Sequence, residues 1–271
     1  MTEHSALYEV DGNVAIITLN RPDKRNAFDA GLKDALIDLL RRAEDDDAVA
    51  VVVLRGAGKS FCAGADLSPN PDRAKRAGNG LKSYLYYSQT LDFHRAVWSL
   101  RKPVIASVQG HALGLGCELA MMCDMTIAAD TAKFGEPEVR FGPPGAAVVM
   151  PWIIGHKRAR ELLYMGDQIS AETAREYGMV NRVVPAAKLE AETLKYAKRL
   201  GKIGREVLMS AKIAVNLGIE AAGFRNALDA GAAIVTLGHL TPLESQAAFR
   251  AVAERDGPAA AAKQRSAEFE D

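Results

Sequence analysis

The sequence predicts an α/β protein, and three observations carry that reading. Short apolar runs rich in β-branched residues alternate with segments of helical period, a strand–helix–strand unit recurs, and from about Ala186 onward helical patterns alone remain. Residues 14–19 (VAIITL) and 48–54 (AVAVVVL) read as strands with one or both faces covered. Between them Asp29 is a candidate N-cap, and Leu32, Leu36, Leu39 and Leu40 recur at helical spacing before the acidic turn from Glu44 to Asp47. The unit returns in residues 102–129: an apolar strand (PVIASV), a glycine-rich turn, a short helix and the strand-like MTIAA. Residues 68–80 (SPNPDRAKRAGNG) hold prolines, glycines and charges with little apolar periodicity, and read as a surface loop able to cover a site. Two long amphipathic candidates and an alanine-rich tail follow residue 186.

Composition narrows the function classes. With 271 residues, 48% hydrophobic and 25% charged, the chain can bury a large core and is neither disordered nor fibrous. Its 34 basic and 34 acidic residues cancel, so no global field draws in nucleic acid or an anionic membrane, and any anion site must be local. Cys62, Cys117 and Cys123 form no CxxC pair and read as reduced, buried thiols of a cytoplasmic protein. The first ten residues lack the pattern of a signal peptide. The most apolar stretch, residues 104–129, is interrupted by Gln109, His111, Glu118 and Asp124, short of the roughly 20 clean apolar residues of a membrane helix. The five histidines show no metal-ligand spacing and no GxSxG elbow occurs, so no metal site or serine hydrolase is expected.

Two loops hold the chemistry. In residues 59–67 (KSFCAGADL), Ala63, Gly64 and Ala65 let a ligand approach the main chain, where an unpaired N–H can donate to it; a tight turn capped by Asp66 fits the same residues. In residues 109–124 (QGHALGLGCELAMMCD), glycines precede a helix expected to start near Gly114 and Leu115, whose free N–H groups and dipole favour negative charge. Glu118 falls one turn further on the same face. A dinucleotide fingerprint would need glycine where Leu119 stands.

Those two segments together resemble the signature loops of the enoyl-CoA hydratase/isomerase, or crotonase, superfamily, closest to its hydratases. The likeness continues through residues 20–28 (NRPDKRNAF), 134–142 (FGEPEVRFG) and 178–185 (GMVNRVVP). It implies a spiral of repeated strand–strand–helix units over residues 1–195, followed by a helical region, 196–271, that builds homotrimers or dimers of trimers. It also implies an acyl-CoA substrate, and no cofactor beyond the coenzyme A moiety of that substrate. By the same resemblance the N–H groups of Ala65 and Leu115 form an oxyanion hole. Lys24 and Arg25 approach the phosphates, and Ala27, Ala63, Gly64, Asp66 and Leu67 line the coenzyme A path.

Members that add water across a conjugated double bond use two glutamates, and Glu118 and Glu138 fill both positions. One carboxyl takes a proton from water and the other delivers one to the α-carbon, while the oxyanion hole holds the enolate. Outside the motif, Glu138 reads equally as an ion-pair partner of Arg140 or Lys157, and Glu118 as an ordinary helix carboxylate. Two departures from the family pattern, Leu115 in place of glycine and a shortened loop at Pro143 to Gly145, touch the acyl pocket and keep an isomerase or a specialised dehydratase or hydrolase open; a non-catalytic acyl-CoA-binding scaffold is a separate alternative, against which the glutamate pair argues.

Overall fold

The computed structural model describes residues 5–68, 75–76, 78–142 and 149–269. Much of the predicted loop at 68–80 and all of the Pro143 to Gly145 run lie outside them. The main sheet opens with a hairpin in which β1 (Ala6–Asp11) pairs antiparallel with β2 (Val14–Leu19). Four parallel strands then follow in the order β3 (Val51–Gly56), β4 (Val104–Val108), β6 (Met125–Ala129) and β9 (Arg182–Val184), with Val14 opposite Val51, Val52 opposite Val104, Ile105 opposite Met125 and Ile127 opposite Arg182. All of β2 and β4 is buried, which is why they read as continuous apolar runs without alternation.

A second, smaller sheet gathers β5 (His111–Leu113), β7 (Lys133–Gly135) and β8 (Gln168–Ser170). The chain therefore climbs as a spiral in which a main-sheet strand leads into a small-sheet strand and then a helix: β4, β5 and α4 (Leu115–Met122) make one such turn. Among the helices preceding α4 are α1 (Ala30–Asp45), α2 (Gly80–Thr90) and α3 (Asp92–Ser99). Asp29 does cap α1, its Oδ1 accepting from the Leu32 N–H at 2.8 Å, and such a cap contributes about 1 kcal/mol. Leu32, Leu36, Leu40 and Ala43 face the sheet. The buried Lys102 amine donates to the Ala43 and Asp46 carbonyls at the other end of α1, where the helix dipole favours a cation.

After β6 come α5 (Met150–Ile154), α6 (His156–Met165) and α7 (Ala171–Tyr177), and after β9 come α8 (Leu189–Leu200), α9 (Arg205–Ala221), α10 (Phe224–Leu240), α11 (Glu244–Asp256) and α12 (Pro258–Ala267). A helical C-terminal region therefore follows β9. The boundary expected at residue 195 falls inside α8, which packs on the sheet through buried Thr193 and Ala197, so that helix sits with the strands and α9 is the first to leave them. The Lys212 amine on α9 anchors this region by donating to Asp124 Oδ2 at 2.8 Å and to the Val97 and Lys102 carbonyls. Val207, Val215, Leu217, Ile234 and Leu237 on α9 and α10 stay exposed. No single helix among the described residues is long and apolar enough to cross a membrane.

Candidate active site

The site is built where the end of β3 meets the end of β5. Asn26, fully buried and held at φ +57, locks the approach: its Oδ1 accepts from the Arg21 N–H, and its amide points at the Ala57, Ser60 and Phe61 carbonyls at 2.8–3.1 Å. Phe61 N–H donates to Gln109 O, Cys62 N–H to His111 O, and Leu113 N–H to Cys62 O, a short parallel ladder that ties the two glycine-bearing loops together. Beyond it Phe28 N–H donates to Gly64 O and Asp66 N–H to Phe28 O. The Ala65 amide lies between those two bonds, and the Leu115 amide is the first of α4, with Gly114 as its N-cap. Neither donates to a protein acceptor among the described residues.

Gly114 has φ +52 and ψ −125, a conformation only glycine adopts readily, and space demands it as well. A Cβ there would overlap the Glu138 carboxyl, lying 2.7 Å from its Cδ. Glu138 stands in a one-turn 3₁₀ helix, Pro137–Arg140, that follows β7, and Gly114 N–H donates to Gly135 O at 2.9 Å, fixing this turn beside the start of α4. Part of the Glu138 side chain is exposed, but its Oε2 is enclosed without a hydrogen-bond partner. Burial pushes this carboxyl up to about 7, and the Glu118 charge adds to the rise. Arg140 pairs instead with Asp167 and donates to Met165 O, while Lys157 is exposed, so neither residue forms the ion pair the bare sequence allowed for Glu138.

Glu118 is fully buried on α4. His94 Nε2, on α3, lies 3.1 Å from its Oε2, off the line of a hydrogen bond, so both carboxyl oxygens and both ring nitrogens are enclosed without a formed hydrogen bond. A third acid, Glu136, is buried between Gly135 and Pro137 with both oxygens enclosed. Burial first, then the charges of Glu138 and Glu118, raise its carboxyl well above the ordinary range. Three acids therefore converge where the sequence suggested two. Glu136 and His94 went unread: the first was hidden inside a motif quoted for Glu138, and the second sits between Phe93 and Val97 on an apolar helix face and reads as core.

The remaining candidates divide. Lys24 and Arg25 are exposed, and the Arg25 charge adds to burial in lowering the His111 imidazole, which places Arg25 at the edge of β5. Ala63 N–H donates to Arg25 O at 3.0 Å, and Gly64, at φ +100, leaves no room for a Cβ against Leu113 O. Ala27 is buried and its carbonyl accepts from Arg21. Asp66 turns back on the protein: its carboxylate meets Arg21 at 2.9 Å, in a cluster that Asp29 completes at 3.1 Å. Burial pushes the Asp66 carboxyl up, but the Ser68 and Arg21 donors together hold it below the ordinary value. Leu67 is exposed beside it.

Known proteins share this architecture. The sequence profile described as enoyl-CoA hydratase/isomerase matches residues 9–236. A probable enoyl-CoA hydratase of Mycobacterium bovis is 37% identical over 229 residues, 81% of this chain and 84% of that protein. The crystal structure of an enoyl-CoA hydratase/isomerase from Xanthobacter autotrophicus superposes with a TM-score of 0.92 at 38% identity, covering 99% of each chain. An enoyl-CoA hydratase structure from Mycobacterium smegmatis gives 0.92 at 29% identity, over 98% of this chain and 94% of that one. The profile match over most of the chain, the 37% identity and the close superposition place the chain in the enoyl-CoA hydratase/isomerase family, with the crotonase fold.

Proposed function

We propose that the protein reversibly hydrates 2-enoyl-CoA thioesters to 3-hydroxyacyl-CoA, as a hydro-lyase. The observation that carries this reading is the Glu138 carboxyl packed against Gly114, one residue before the free Leu115 amide and one helical turn from Glu118. A thioester oxygen held by the Ala65 and Leu115 N–H groups would leave its α- and β-carbons facing these two acids. Conjugate addition of water puts negative charge on that oxygen, which main-chain donors at a helix start stabilise. One carboxyl must be charged and the other protonated, and a Glu138 that titrates near 7 can change state at neutral pH. Lys24 and Arg25, exposed at the mouth, suit the coenzyme A phosphates.

The exposed apolar side chains on α9 and α10 support assembly as a homotrimer or a dimer of trimers, which light scattering would measure. Three buried free thiols suit a cytoplasmic setting.

The test is loss of the conjugated thioester absorbance of crotonyl-CoA. Glu118→Gln and Glu138→Gln should each lower kcat roughly 10²- to 10⁴-fold. Near-normal hydration by Glu138→Gln would eliminate the two-acid mechanism, and binding without turnover by the unaltered protein would favour a scaffold.

A further inference from the structure

We propose that Glu136 remains protonated at neutral pH and donates its carboxyl O–H to Glu138, acting as a positioning residue that holds the Glu138 carboxyl against Gly114. The backbone leaves Glu136 no choice of direction. Gly135 before it is bonded to the Gly114 N–H and would bring a Cβ within 2.6 Å of the Asp167 carbonyl, and Pro137 after it begins the 3₁₀ turn. The side chain is therefore directed inward, 2% exposed, with both carboxyl oxygens shut off from water.

A carboxylate enclosed without a donor or cation is costly, and the protein avoids that cost by keeping the proton. Among the described residues, the ionisable groups facing Glu136 and Glu138 are Glu118 and the Cys117 thiol of α4, with His94 of α3 behind Glu118. On their own turn, Arg140 is engaged by Asp167 and Met165 O. A neutral carboxyl has one proton to give, and the Glu138 carboxyl, two residues further along the same turn with its Oε2 enclosed and without a partner, is an acceptor suited to receive it. That bond favours the ionised form of Glu138 and so opposes the upward push of burial, which keeps Glu138 near neutrality instead of permanently protonated.

The inference deepens the hydratase reading, but its first test needs no substrate. Infrared spectra of the resting protein at about pH 8 should show protonated-carboxyl carbonyl absorption containing a component that Glu136→Gln removes and Glu138→Gln leaves in place. Absorption that is undiminished in Glu136→Gln overturns the proposal even if hydration is confirmed, and loss of that component stands even if the substrate proves to be something else. In turnover, Glu136→Gln still offers a neutral N–H donor and should stay within about threefold of the unaltered kcat. Glu136→Leu removes the donor: kcat should fall at least about tenfold with KM within about twofold, and the pH limb assigned to Glu138 should move upward by about half a unit or more. An unmoved or lowered limb in Glu136→Leu would count against the donor role, and should that variant not fold, the infrared comparison of the two glutamine variants still decides.

Discussion

His94 and Glu118 face each other at 3.1 Å inside a space closed to water. The imidazole stacks on Phe93 at 4.0 Å between ring centroids, and Phe93 stacks on Phe28 at 4.6 Å, so the ring that meets the acid is packed in turn against the strand segment that hydrogen-bonds the Ala65 loop. Removing one polar partner from such a pair strands the other. His94→Leu is expected to destabilise the fold by about 3 kcal/mol, read from urea unfolding, and to lower kcat more than it raises KM. The double variant with Glu118→Leu should regain much of that stability; simple addition of the two losses would show that the residues are not coupled.

Gly114 supplies a second prediction. Alanine at this position must enter a left-handed conformation and also occupy space taken by the Glu138 carboxyl. Gly114→Ala should therefore displace Glu138 and reduce crotonyl-CoA hydration by at least about 10²-fold, with a smaller loss of stability of roughly 1–3 kcal/mol. Hydration at the unaltered rate would mean that Glu138 does not act from its observed position.

The buried acids also set how stability depends on pH. Glu138 binds its proton more tightly in the folded protein, at about 7, than at its ordinary value of 4.5. The stability this contributes is fully present below about pH 4.5 and is lost as pH rises toward 7, by up to about 1.4 kcal/mol per pH unit. Urea midpoints measured at pH 5 and pH 7.5 should fall further for the unaltered protein than for Glu138→Gln. Equal falls would place the titrating group elsewhere.

The three thiols make a simpler case. Cys62, Cys117 and Cys123 are buried and unpaired, and burial raises each thiol, Cys62 to about 12. A thiol reagent at neutral pH should react with the folded protein at least about a hundredfold more slowly than with the protein in denaturant, where all three become available. Fast modification of one cysteine without unfolding would show that its loop opens.

Much of this was legible from the chain. The strands at residues 14–19 and 104–108, the Asp29 cap and the start of α4 at Leu115 follow from local patterns, because apolar period, capping chemistry and glycine placement act over a few residues. The strand read at residues 48–54 is displaced to Val51–Gly56, since its pairing with β2 and β4 sets where it begins and ends. Asp66 could be read as a cap or as part of the ligand path, and only the approach of Arg21 from 45 residues away shows which way it turns. His94 and Glu118 are 24 residues apart in sequence and meet only when α3 packs on α4; no spacing rule relates them. Glu136 was visible two residues from Glu138, but a strand would have sent both side chains to the same face and a helix would not, so its inward aim depended on the irregular turn at Gly135 and Pro137.

The ladder between Cys62 and the His111–Leu113 strand bears on how such a pocket can change over evolutionary time. These bonds fix the separation of the Ala65 and Leu115 amides as the chain folds, so under the proposed hydratase reading the gap that would hold the thioester oxygen cannot widen for a bulkier acyl group without breaking the joint that defines it. Diversification must then proceed through side chains that overhang a rigid frame, with position 115, half-buried and free of any main-chain constraint on its residue type, as the first place to look.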